Sequence, residues 1–282
     1  MLVTDLDGTL LDMAGRVSPA DEQALQAARR AGVGVVLATG RAFATALPVA
    51  RRLALPTPMV VYNGARLMDP DGRVLWERWL SGPAVELAVG LARRFGLSGF
   101  AYLPRRLVPL LGGERLLPYL LPEDQAMVGE AMVGAGPARL ERPGEGPGAA
   151  IKLLFLGERQ ACDQFQAALQ QHPRLARPVR SGEHCVEVLA PGVSKAAALA
   201  RLLASWGVHP SQVVAVGDGL NDLEMLRLVG RPVAVASAEE PVRALACWVA
   251  PAPEQGPMAA VLQRFFPQVP LPRPPVNGLR PA

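Results

Sequence analysis

The stretch Leu2-Val3-Thr4-Asp5-Leu6-Asp7-Gly8-Thr9-Leu10-Leu11, at the N-terminus, decides how the rest of the chain is read. Leu2 to Thr4 have the character of a short buried strand, and Gly8 is a breaker just after it. Two carboxylates, one residue apart, stand at the strand's end. Side chains at i and i+2 of a strand share a face, so Asp5 and Asp7 are expected to project together. Two anions held side by side repel unless a positive charge lies between them or they share a proton. A hard divalent cation with oxygen ligands, Mg²⁺ for choice, meets that need. Asp-Gly is also a common turn dipeptide, so these residues alone leave a surface turn open.

The chain that follows extends the first reading. Ser18-Pro19-Ala20-Asp21 opens a helix, with Ser18 as N-cap, Pro19 at the first helical position and acids in the first turn. Gly32 ends it, and Val33-Gly34-Val35-Val36-Leu37 is a continuous apolar run, as expected of a strand buried on both faces. That run passes through Ala38-Thr39-Gly40-Arg41 into a second helix over about 42–54, and Met59 to Tyr62 form a third strand ending at Asn63-Gly64. Strands alternating with helices imply a parallel sheet covered by helices. Right-handed crossovers would bring Asp5, Thr39 and Asn63 to its carboxyl edge, where ligands bind in open α/β sheets.

Asp69-Pro70-Asp71-Gly72 then signals a hairpin turn, and from about residue 82 the rhythm changes. Helices over 83–95, 122–132 and 158–170 mix with short strands over 99–103, 107–111, 150–156 and 184–189, around a Gly/Pro-rich loop at 134–148. The fold class is therefore α/β: a doubly wound, Rossmann-like parallel-sheet core, residues 1–81 and 188–266, with an inserted α+β domain over 82–187. Doubly wound periodicity resumes at Ser194-Lys195, with a buried strand Gln212 to Val216 ending in Gly217-Asp218-Gly219-Leu220-Asn221-Asp222. Residues 267–282, rich in proline, are expected to be a disordered tail.

Composition excludes several function classes. Half of the 282 residues are apolar, ample for a core, and the net charge of +4 comes without any tract of five basic residues. With 5% aromatic residues, few rings are available to stack on bases, so no nucleic-acid partner is expected. The three cysteines are far apart and lack a C-x-x-C spacing, against a disulfide framework or a zinc site. No signal peptide or membrane-length apolar run is evident, so the sequence reads as a soluble, cytoplasmic protein with no membrane partner. The isolated histidines and the lack of a nucleophile elbow argue against a Ser-His-Asp hydrolase. Surface stripes are too mixed to nominate a subunit interface.

Asp5-Leu6-Asp7-Gly8-Thr9-Leu10-Leu11, Thr39-Gly40-Arg41, Ser194-Lys195 and Gly217-Asp218-Gly219-Leu220-Asn221-Asp222 thus fall at strand ends or first turns of helices. In order and spacing these four motifs resemble the haloacid dehalogenase superfamily, and within it the Cof-like phosphatases, whose α+β cap follows the third strand. Tyr62-Asn63-Gly64-Ala65 matches a further family feature. The resemblance implies that Asp5 attacks phosphorus to form an aspartyl-phosphate and that Asp7 acts as general acid and base. It implies Mg²⁺ held by Asp5, the Asp7 carbonyl and Asp218, with Asp222 either joining the ligands or orienting Lys195 or a metal-bound water. Thr39 and the Gly40 amide would bind phosphoryl oxygens, Asn221 would add a donor, and Lys195 would balance the developing charge.

Read singly, Thr39 could be an ordinary N-cap and Asn63 a left-handed turn residue. Lys195 in a helix's first turn opposes the macrodipole, which points to an anion nearby. Ala196 and Ala236-Ser237-Ala238 depart from the family pattern, which puts the loop after the Val233–Val235 strand in question more than the chemistry. The expected activity is hydrolysis of a small phosphorylated metabolite, a sugar phosphate or a flavin-pathway type of phosphomonoester. A phosphomutase or a non-catalytic sensor of phosphorylated metabolites are the alternatives.

Overall fold

The computed structural model describes residues 1–104, 106–128 and 150–270. Strand β1 (Leu2–Thr4) is buried throughout and runs parallel to β2 (Val35–Leu37), Val3 opposite Val36. Between them lies α1 (Pro19–Arg30), and the Ser18 side chain accepts the Asp21 N–H at 3.1 Å, the cap that the sequence predicts. Helix α2 (Phe43–Arg52) leads to β3 (Met59–Val61). The sequence makes this the third parallel strand, but its parallel contact with the end of β2 is one bridge, Ala38 to Val60. Its ladder is antiparallel, with β4 (Arg66–Met68), which in turn pairs with β5 (Val74–Glu77). The chain reverses immediately after Val61 because Tyr62, Asn63 and Gly64 all take positive φ, 53°, 53° and 91°. Only glycine fits the last of these places: a Cβ on Gly64 would lie 2.1 Å from the Ser194 carbonyl oxygen.

The insert begins with α3 (Gly82–Arg94), capped by Ser81, and continues through β6 (Ser98–Tyr102), β7 (Leu107–Leu110) and α4 (Pro122–Ala126). Helix α4 is shorter than the expected 122–132. It stops because Leu107 donates to the Met127 carbonyl at 2.6 Å and bridges to Val128, drawing the chain out of helical geometry. The elements expected between 129 and 149, including the loop at 134–148, lie outside the described residues. Then come β8 (Lys152–Leu156), α5 (Arg159–Gln170), β9 (Arg177–Gly182) and β10 (Cys185–Leu189). The five strands form an antiparallel sheet in the order β7-β6-β8-β10-β9. Strand β10 continues to Leu189, across position 187, where the sequence pattern ends the insert.

Alternation along these strands gives the sheet two different faces. Ala101, Leu153, Phe155, Val186 and Val188 pack beneath α3 and α5, with the Phe155 and Phe165 rings edge to face at 5.2 Å. Tyr102, Lys152, Leu154, Cys185 and Glu187 point the other way, into a cavity shared with the core.

The second half of the core supplies α6 (Lys195–Ser205), β11 (Val214–Gly217), α7 (Leu223–Leu228), β12 (Arg231–Val235), α8 (Glu240–Leu245), β13 (Trp248–Ala250) and α9 (Pro257–Phe265). The parallel sheet has the order β13-β12-β11-β1-β2. Because β1 and β11 are neighbours, with Val3 opposite Ala215, the loops carrying Asp5 and Asp218 emerge side by side at the carboxyl edge. Val269, within the stretch expected to be a disordered tail, is 5% exposed and packs into the core; residues 271–282 lie outside the described residues.

Candidate active site

Strand β1 ends at Thr4, and the Asp5 N–H still donates to the Val216 carbonyl at 3.0 Å, holding Asp5 against β11. The chain then coils tightly: the Leu6 carbonyl accepts the N–H groups of Thr9, Leu10 and Leu11. Asp7 therefore lies past the end of the strand, with a single bridge to Leu11, so strand alternation does not set its direction, although both carboxylates border the same cavity. Asp5 is 5% exposed and points inward, whereas the Asp7 side chain is 57% exposed and grips Arg41 with both oxygens, at 2.8 Å to Nε and 2.5 Å to Nη2.

Around Asp5 the structure gathers a buried ionic cluster. Lys195 Nζ, 1% exposed, donates to Asp5 Oδ1 at 2.8 Å and to Asp222 Oδ1 at 2.7 Å. The other Asp222 oxygen accepts the N–H groups of Asp218 and Gly219 at 3.1 and 3.3 Å. Thr9 Oγ1 donates to Asp218 Oδ1 at 2.6 Å, which ties the first motif to the last. Lys195 stands in the first turn of α6, whose N-cap Ser194 accepts the Ala197 N–H at 3.1 Å. The anions expected near this dipole-opposed lysine are thus Asp5 and Asp222.

Electrostatics in the cluster are one-sided. Burial pushes the Asp5 carboxyl well above its ordinary range; the Lys195 ammonium pulls it down, while the Asp222 and Asp218 carboxylates push it up again. Burial also raises Asp218, against the pull of the Thr9 hydroxyl, with Asp222 adding repulsion. For Lys195 burial works to lower the pKa, but Asp222 and Asp5 override it and hold the amine protonated. Three carboxylates have ligand atoms within 4.8 Å of one another, and Lys195 bonds to two of them, so the cluster carries a surplus of negative charge whenever all three are ionised. A hard divalent cation would neutralise that surplus, and carboxylate oxygens are its preferred ligands. The backbone closes on the same spot, since a Cβ on Gly8 would lie 2.5 Å from Asp218 Oδ2.

The cluster forms the floor of a cavity of about 590 Å³. Of the residues predicted from sequence, Asp5, Asp7, Gly40, Asp218 and Asn221 line it; Thr39, Lys195 and Asp222 stand behind the wall. Thr39 is not a helix cap, because α2 starts from Ala42; its Oγ1 accepts the Arg41 N–H at 3.1 Å and shapes the Gly40 turn. Asn63 both adopts the left-handed turn and takes part in the site: its Oδ1 accepts from Asn221 Nδ2 at 3.1 Å, and its Nδ2 donates to Glu187 Oε2 at 2.7 Å.

Several lining residues escape the sequence reading. Lys152 Nζ donates to the Gly40 carbonyl at 2.8 Å, pairs with Glu187 at 3.1 Å and lies 4.5 Å above the Tyr102 ring. Its signal is a charge embedded in the apolar run Ile151-Lys152-Leu153-Leu154, repeated as Val186-Glu187-Val188. Buried charges need partners, and these two find each other and the core's loops. Cys185 also faces the cavity, but burial pushes its thiol up to about 12, which rules out a thiolate nucleophile at neutral pH.

The family model for haloacid dehalogenase-like hydrolases matches residues 2–109 and 141–262, which include every motif of the ionic cluster. The chain belongs to this family. It is 27% identical over 263 residues to the phosphatase YwpJ of Bacillus subtilis, covering 87% of this chain and 92% of that protein. It is 25% identical to the 5-amino-6-(5-phospho-D-ribitylamino)uracil phosphatase YwtE of the same organism, covering 94% and 97%. The crystal structure of a haloacid dehalogenase-like hydrolase from Bacteroides thetaiotaomicron superposes with a TM-score of 0.79 at 26% identity, over 94% of this chain and 98% of that one. This haloacid dehalogenase-like protein is an enzyme of the phosphatase kind, on an α/β fold as the sequence predicts. Among the described residues no helix is long and apolar enough to cross a membrane.

Proposed function

We propose that the chain is a Mg²⁺-dependent phosphomonoesterase that hydrolyses a small phosphorylated metabolite through an aspartyl-phosphate on Asp5. The observation that carries this reading is the buried Asp5–Lys195–Asp222 cluster, with Asp218 beside it, at the floor of a cavity wide enough for a small metabolite. The relative named for a phosphoribitylamino-uracil gives the substrate class a direction, towards phosphorylated sugars and polyols.

Asp5 is the nucleophile in this reading. Lys195 holds its Oδ1 and fixes the carboxylate's orientation, so little reorganisation is needed before attack. Asp222 is a positioning residue: both its oxygens are already engaged, one with Lys195 and one with two backbone N–H groups, so it steadies Lys195 more readily than it binds metal. Asp5, Asp218 and the Asp7 carbonyl would hold Mg²⁺, which when bound supplies positive charge between an anionic nucleophile and an anionic phosphate. The Gly40 amide and Asn221, both lining the cavity, would donate to phosphoryl oxygens, with Thr39 holding the turn at Gly40 through the Arg41 N–H. Asp7, at the outer side, would protonate the leaving alkoxide and later take a proton from water, and it must part from Arg41 to do so. The 82–187 insert acts as a cap: Lys152 and Glu187 bond to Gly40 and Asn63 of the core and close the cavity from above.

The test is phosphate release from a panel of phosphorylated metabolites, with Mg²⁺ and with EDTA, using Asp5→Asn as control. Release that needs both the metal and Asp5 is expected. Undiminished turnover by purified Asp5→Asn would overturn the mechanism, and conversion of one sugar phosphate isomer into another without phosphate release would identify a mutase.

A further inference from the structure

The cavity has a second polar region, on the cap side, that the phosphoryl chemistry does not use. Asp124, on α4, is 7% exposed and lines the same cavity as Asp5. Its Oδ2 accepts the Tyr102 hydroxyl at 3.1 Å, whereas its Oδ1 is buried without a hydrogen-bond partner among the described residues. A buried acceptor left unmatched is unfavourable in the free protein, and it marks a place where a ligand donor fits.

Three donors on this wall are already engaged. Tyr102 donates to Asp124 itself, Lys152 to Gly40 and Glu187, and the Asn63 amide to Glu187. Asp124 Oδ1 is thus the unmatched group at this end, an acceptor that a donating group of the ligand would satisfy. Two classes of donor are chemically available, a hydroxyl and an ammonium. Burial, with Glu187, raises the Asp124 carboxyl against the pull of Lys152, Tyr102 and Arg41, which disfavours the full charge that an ammonium would need, whereas a neutral hydroxyl needs no such charge.

We propose that Asp124 is a specificity-determining residue whose Oδ1 accepts a hydrogen bond from a hydroxyl of the departing alcohol. The inference rests on the phosphatase reading and adds a requirement to it: the leaving group carries a hydroxyl beyond the phosphoester oxygen. A site built to bond such a group discriminates against an analogue that lacks it, because the acceptor then stays unmatched.

The experiment compares kcat/KM for hexose and polyol monophosphates with their singly deoxygenated analogues, in wild type, Asp124→Ala and Asp124→Asn. Phenyl phosphate, which has no hydroxyl to offer, reports whether phosphomonoester hydrolysis occurs at all. For at least one pair the wild type should prefer the hydroxylated member by roughly tenfold to a hundredfold, as expected where a buried acceptor is otherwise left unmatched. Asp124→Ala should reduce that ratio to near one, and Asp124→Asn, which keeps an acceptor oxygen, should restore part of it. Because the readout is a ratio within each enzyme, a general loss of activity or folding does not mimic the result. An Asp124→Ala ratio equal to that of wild type would overturn the inference. So would a wild type that cleaves phenyl phosphate yet shows no hydroxyl preference in any pair. A wild type that cleaves nothing, phenyl phosphate included, would bring down the phosphatase reading and this inference with it.

Discussion

Replacing Lys195 with methionine removes the ammonium lying 2.8 Å from Asp5 and 2.7 Å from Asp222 while keeping an unbranched side chain of similar length. Water cannot take over, since Lys195 is 1% exposed, Asp222 0% and Asp5 5%. Removing one partner of a buried ion pair costs about 3–5 kcal/mol, because the charge left behind has neither solvent nor counter-ion. Here two carboxylates lose the same partner, and Asp218 stands close enough to add repulsion. The loss should therefore fall in the upper half of that range, about 4–5 kcal/mol. It is to be measured by urea unfolding in EDTA, followed by tryptophan fluorescence, so that no metal replaces the missing charge. The companion Asp222→Asn and the double variant complete a cycle. The double variant should cost less than the sum of the singles, by about 1–3 kcal/mol, because the neutral amide relieves the carboxylate that Lys195→Met strands. A Lys195→Met protein within about 1 kcal/mol of wild type, or a strictly additive cycle, would refute the idea that this lysine neutralises the cluster.

Two further outcomes follow from features away from the site. Asp21 on α1 is fully buried against α9, and burial pushes its carboxyl up to about 6 despite the Ala259 N–H it accepts at 2.8 Å. The folded state then binds more protons than the unfolded one between about pH 4 and 6, so this group's contribution to stability is present in acid and lost as pH rises through that window. The urea midpoint of wild type relative to Asp21→Asn should fall across it, by up to about 3 kcal/mol in stability, and a flat difference would show that Asp21 is not protonated there. Truncation before Pro267 removes buried Val269, whereas truncation after Pro270 does not. The shorter protein should be less stable than the longer one by about 1.5–3 kcal/mol, and equal unfolding midpoints would mean that the Val269 packing contributes nothing.

Residues whose roles are set by their neighbours in the chain are legible in the amino-acid sequence alone. Ser18, Ser194 and Gly32 mark helix boundaries by local chemistry, and the apolar runs of β1, β2 and β11 have the pattern of strands buried on both faces. The crossover rule then brings Asp5, Thr39 and Asn63 to one edge, independently of side-chain packing. Asp7 departs from expectation because a shared face with Asp5 needs a strand longer than the turn around the Leu6 carbonyl allows. Strand β9 is hidden for a different reason: Arg177-Pro178-Val179-Arg180-Ser181-Gly182 is polar and holds a proline, which suits an edge strand but gives no apolar signal.

The cap wall is hardest to read because its meaning depends on pairs far apart in the chain. Lys152 meets Gly40 and Glu187, and Asn63 meets Asn221 and Glu187, each across more than thirty positions and most across more than a hundred. No local rule joins them, yet each carries a local anomaly: a lysine inside Ile-Lys-Leu-Leu, a glutamate inside Val-Glu-Val, an asparagine at positive φ. A charge inside an apolar strand cannot be buried alone, so two such anomalies of opposite sign in one sheet imply a pairing between strands. Asp124 carries the same logic one step further. Its helix is polar and its sequence holds no anomaly, and only the three-dimensional arrangement leaves one of its oxygens buried without a donor among the described residues. The ionic cluster around Asp5 is thus written in contiguous motifs, while the opposite wall of the cavity is assembled from elements far apart in the chain.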